Sequence, residues 1–104
     1  MMQGNPAVLV LVTNADRREA VRQRLAQFDV LPIPVRAARA TEAVSQLHPI
    51  AVVIDEAHAA TAPDEFLQMT CAHRVRLVTL PEDRDVEWLS PLAIQNAVTP
   101  RPAC

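Results

Sequence analysis

The sequence predicts an α/β fold built on a parallel sheet. Two observations carry that prediction. Short, continuous apolar runs, Ala7–Val12 and Ile50–Ile54 among them, have the composition of strands buried on both faces. Between such runs lie segments whose apolar residues recur at helical spacing, so strand and helix alternate along the chain. With 104 residues, half of them hydrophobic, one domain with one real core is expected.

The elements follow in order. Ala7–Thr13 is continuous, β-branched and short, which predicts the first buried strand. Asn14-Ala15-Asp16 then opens a helix, with Asp16 and Glu19 spaced like a capping box. Val21, Leu25 and Phe28 form its apolar stripe, and Arg17, Arg18, Arg22 and Arg24 read as a solvated face. Val30–Val35 is strand-like but holds Pro32 and Pro34, which cannot donate to a ladder, so it is assigned to a sheet edge. Thr41 starts a short helix with Ala40, Val44 and Leu47 on one side, ended at His48-Pro49. The strand Ile50–Ile54 follows and stops on Asp55.

Glu56–Ala62 reads as a loop. Pro63 opens a third helix with Phe66, Leu67, Thr70 and Cys71 inward. Val75–Leu80 is a fourth strand. Glu82–Asp85 is a charged loop, and Val86, Trp88 and Leu89 allow one short helix before Pro91. Leu92, Ile94, Asn96 and Val98 alternate with smaller or polar residues, which suits a fifth strand. Right-handed crossovers then favour strand order 2-1-3-4-5, a flavodoxin-like three-layer α/β/α sandwich with no fifth helix. Residues 1–6 and 99–104 read as tails of a single domain.

Composition excludes several function classes. The net charge of −2 supplies no field for nucleic acid, and three aromatic residues make no base-stacking platform. No apolar run approaches the ~20 residues of a membrane span, and no signal pattern opens the chain, so the expectation is a cytoplasmic protein. All ten cations are arginine, which reads as compositional bias. Gly4 is the sole glycine and precedes the first strand, so no glycine-rich phosphate loop exists. His48, His58 and His73 lack metal-ligand spacing with Cys or acidic partners. Cys71 reads as a core thiol, and Cys104 as a terminal residue open to adventitious disulfide formation. No metal site and no cofactor is expected.

Asp55 is the residue that most invites a function. It is the first acid after a buried strand, at the carboxyl edge of the sheet where open α/β folds bind ligands. The run Pro49–Asp55, the following Glu65-Phe66-Leu67, Thr79 at the close of the fourth strand, and Arg101-Pro102 together resemble the receiver domain of two-component response regulators, a bacterial signal-transduction family. The resemblance implies that Asp55 stands at the phospho-acceptor position. It implies that Thr79 and Arg101 stand at the switch Thr/Ser and Lys positions, and that Thr13 and Asn14 stand where the family has its acidic pair.

The departures decide the expectation. Mg²⁺ neutralises and orients the phosphoryl group in such chemistry, and it is held by one or two carboxylates. Thr13 and Asn14 offer a hydroxyl and an amide instead, and rescue by Asp16 or Glu56 requires an altered loop. Arg101 keeps the charge but not the compact shape of lysine. The expected function is therefore a non-catalytic pseudo-receiver that acts by protein–protein contact, as a homodimer or on a larger partner. Trp88, Leu89 and Leu92 are its candidate anchors, although Trp88 suits the core equally. A phospho-accepting receiver is the first rival. A small flavodoxin-like ligand-binding protein, with a pocket near Asn14, Asp55 and Thr79, is the second. Asp55 itself has two readings: a cap or ion-pair partner, and a residual anion or ligand site.

Overall fold

The computed structural model describes residues 6–83 and 85–90. They form β1 (Ala7–Leu11), α1 (Ala15–Leu25), β2 (Leu31–Pro34), α2 (Ala40–Leu47), β3 (Ala51–Asp55), α3 (Glu56–Thr61), α4 (Asp64–Ala72) and β4 (Arg76–Leu80), with single 3-10 turns at Ala26–Phe28, Ala37–Arg39 and Val86–Trp88. The four strands make one parallel sheet in the order β2-β1-β3-β4. The fifth strand expected over 92–98, with Leu92, Arg101 and Cys104, lies outside the described residues.

Strand alternation splits the core. Val8, Val10, Val53, Val78 and Leu80 join Val21 and Leu25 of α1 in one apolar cluster. Leu9, Leu11, Val52 and Ile54 join Ala40, Val44 and Phe66, from α2 and α4, in another. Every residue of β3 is buried, which explains why its sequence carries no polar alternation. Burying each large side chain in these clusters contributes roughly 1.5–3 kcal/mol.

The prolines of β2 fall where they cost the sheet nothing. Leu31 N–H donates to Pro6 O at 2.8 Å and Val35 N–H to Val10 O at 3.0 Å. In a strand the intervening residues face the other way, so Pro32 and Pro34 lack the N–H groups that would point to the open side. The edge carries fewer donors for a foreign strand as a result.

Several expectations are corrected. The cap of α1 is Asn14, whose Oδ1 accepts from Arg17 N–H at 2.9 Å. The helix starts earlier than a cap at Asp16 requires, so Asp16 lies in the first turn, where a carboxylate suits the helix dipole. Glu19 pairs instead with Arg22 and Gln23. The arginines of α1 are not simply a solvated face. Arg17 Nη2 donates to Pro81 O at 2.6 Å, and Arg24 Nε donates to Leu89 O at 3.0 Å. They tie α1 to the segment after β4, whose carbonyls have no ladder of their own.

Leu47 is 45% exposed rather than inward, because α2 ends there and His48 turns the chain through a left-handed conformation at φ 49°. Glu56–Ala62 is not all loop; its first six residues form α3. Cys71 is disulfide-bonded, where its apolar helical face predicted a core thiol. Leu89 is 0% exposed and belongs to the cluster beneath α1, so it is a core residue and not an interface anchor. Trp88 beside it remains 38% exposed. No helix among the described residues is long and apolar enough to cross a membrane.

These assignments have a direct mutational consequence. Leu89→Ala should lose about 2–5 kcal/mol of stability in urea unfolding, as a cavity beneath α1 opens. Trp88→Ala should cost clearly less. The opposite ranking would return Leu89 to the surface.

Candidate functional site

The register of the sheet assembles a row at its carboxyl edge. Leu11 pairs with Ile54, and Asp55 pairs with Leu80. Thr13 and Asp55 thereby leave their strands side by side, and Val35-Arg36 leaves the edge strand next to β1.

Asp55 ends β3 and caps α3 in the same step. Its backbone is extended, and its Oδ1 accepts the His58 N–H at 2.8 Å. This is the N-cap geometry that satisfies one of the orphan donors at a helix start. The same Oδ1 lies 2.8 Å from His58 Nδ1. An ionised carboxylate only accepts, so the proton of that contact sits on Nδ1. The other oxygen, Oδ2, accepts the Thr13 N–H at 2.8 Å. Thr13 Oγ1 closes the group at 3.2 Å from His58 Nδ1.

Asp55 is only 7% exposed. Burial alone pushes its pKa up. The N–H groups of Thr13 and His58, the His58 ring and the Thr13 hydroxyl together outweigh that effect and hold Asp55 below its ordinary value of 3.8. It is an ionised acceptor with both oxygens engaged.

The remaining candidate residues do not converge on it. Asn14 is occupied as the cap of α1. Glu56 accepts the Glu82 N–H at 2.9 Å, and Asp16 is exposed on the first turn of α1. Thr79 pairs with Ile54, one residue short of the Asp55 row, and is exposed. By strand alternation it faces away from Val78 and Leu80, and it makes no hydrogen bond with Asp55. Among the described residues no group of three or more His, Cys, Asp or Glu side chains could hold a metal ion. Arg101 and Leu92 lie outside the described residues.

The sequence reading missed His58, which meets Asp55 through both its N–H and its ring. The signal was present: Asp followed three residues later by a residue able to return a bond, in front of the helix-forming alanines Ala57, Ala59 and Ala60. It also missed an open cleft of about 440 Å³ beside this network. The cleft lies at the carboxyl ends of β1 and β2, with Thr13, Arg18, Val35, Arg36 and His58 in its lining. No family model, curated protein or solved structure matches the chain.

The cap network predicts a particular pH dependence. A carboxylate with a lowered folded-state pKa stabilises the fold above its unfolded value and loses that contribution as pH falls through the folded one. Asp55→Ala should therefore cost about 1–2 kcal/mol at neutral pH, through two partly buried N–H groups left without this acceptor. The gap between wild type and variant in denaturant unfolding should shrink as pH drops below 3.8. A gap that stays constant down to low pH would mean the charge of Asp55 carries none of it.

Proposed function

We propose that this chain is a receiver-like regulatory domain that has given up phosphoryl chemistry and acts by contact with another protein. On this reading the described sheet belongs to a flavodoxin-like three-layer sandwich completed by a fifth strand over 92–98. The domain is cytoplasmic and has no catalytic activity. Asp55 marks the ancestral acceptor position, with Thr79 and Arg101 at the former switch positions and Thr13 and Asn14 at the former acidic pair.

One observation carries the proposal: both oxygens of Asp55 are held by Thr13 and His58. A nucleophilic carboxylate needs a free oxygen facing the phosphoryl donor, and it needs a cation to offset the charge it gains. Here three donor contacts, one on Oδ2 and two on Oδ1, engage both oxygens, and the donors also fix the chain path. Displacing them would uncap α3 and leave the N–H that ties β1 to β3 unsatisfied. The half-exposed Trp88 supports the contact reading, since aromatic side chains at a surface are favoured anchors.

Incubation with a small phosphodonor and Mg²⁺, followed by denaturing intact mass, tests the loss of chemistry. The expected spectrum is unchanged. A gain of one phosphoryl group that disappears in Asp55→Asn would establish a working receiver.

A further inference from the structure

The cleft beside Asp55 has a charge pattern that the receiver reading does not use. Its ionisable lining residues are Arg18, Arg36 and His58, and no carboxylate lines it. Asp55, the nearest acid in the row, turns both oxygens to Thr13 and His58. Arg39, just outside, is matched with Glu42 at 3.8 Å. Arg36 is exposed, and its guanidinium has no hydrogen-bond or ion-pair partner among the described residues. Arg18 makes a single bond, from Nη1 to Val12 O at 3.3 Å, so most of its five donors remain for a ligand.

The setting suits a small molecule as well as an ion. The volume of about 440 Å³ falls in the range of ligand sites. Val12, Pro34 and Val35 give the cleft apolar walls, and Thr13 lies at its rim. His58 Nδ1 is fixed by Asp55, which holds the ring at the wall. A concave surface with two guanidinium groups and no acid focuses positive potential and attracts anions. Planar guanidinium forks match the oxygens of phosphate or carboxylate.

We propose that this cleft binds a small ligand through an oxyanion, a phosphate or carboxylate group held between Arg18 and Arg36. The preference of this corner of the sheet is then inverted. Where a metal-dependent acceptor site gathers carboxylates around a cation, this one gathers cations around an anion. The inference rests on the two arginines of the cleft, neither of which belongs to the Asp55 network.

Amide and arginine side-chain NMR of the full chain tests it, with inorganic phosphate and acetate titrated separately at constant ionic strength. Saturable shifts are expected at Thr13, Arg18, Arg36, Ala37 and His58. Arg36→Glu should weaken the apparent Kd by about tenfold or more, and Arg36→Ala should weaken it in the same direction. Arg74→Glu changes the net charge equally but lies at the opposite, amino end of the sheet, and it should leave the Kd unchanged. Saturation by phosphate alone assigns a phosphorylated ligand, and by acetate alone a carboxylate. Shifts that never saturate with either anion would overturn the proposal. Equal weakening by Arg74→Glu would overturn it too, because it would reduce the effect to general screening. Neither result touches the phosphodonor experiment, which reads a covalent mass.

Discussion

The carboxylate of Asp55 is the constraint on which the carboxyl edge of this fold depends. Two chain segments leave the sheet there, after β1 and after β3, and each brings backbone donors that no ladder can satisfy. Oδ2 takes the Thr13 N–H and Oδ1 takes the His58 N–H, so one side chain closes both exits. Without it, α3 would begin with an uncapped end, and the partly buried His58 N–H would lose its acceptor. The Thr13–His58 contact then follows, because both residues are already fixed to the same carboxylate.

The residue of the sequence that most invites a function is thus the cap of α3 and the acceptor for Thr13. A carboxylate engaged by several well-placed donors is stabilised as an acceptor, and it is a poorer nucleophile for the same reason. The arginines show the opposite case. Arg17 and Arg24 are taken up by backbone carbonyls and hold α1 to the segment after β4. Arg18 is only partly engaged, and Arg36 is unpartnered among the described residues. Arg18 and Arg36 line the cleft, and Asp55 does not.

The sheet was legible because buried parallel strands write themselves as apolar runs. β1 and β4 lie within the segments read from sequence, β3 is displaced by one residue from its apolar run, and the prolines identify β2 as an edge strand. The existence of α3 was not legible from periodicity. Six residues give no amphipathic stripe, and the residue that stabilises its start is also the last residue of β3. Leu89 and Trp88 were equally apolar neighbours in the sequence. Which one turns inward depends on the 3-10 turn Val86–Trp88 and its ties to Arg24, a tertiary matter. The cleft was invisible for a related reason. Arg18 and Arg36 are far apart in the chain, and only the pairing of β1 with β2 brings their segments together.

The central claim is that Asp55 is an ionised, doubly engaged cap. The most direct measurement is an NMR pH titration that follows the Asp55 side-chain carboxyl carbon together with the Thr13 and His58 amide protons. The account predicts one shared midpoint below 3.8 for all three signals, with both amides shifted downfield while the carboxylate is ionised. A midpoint at or above the ordinary carboxyl value, or amides that ignore the titration, would contradict it.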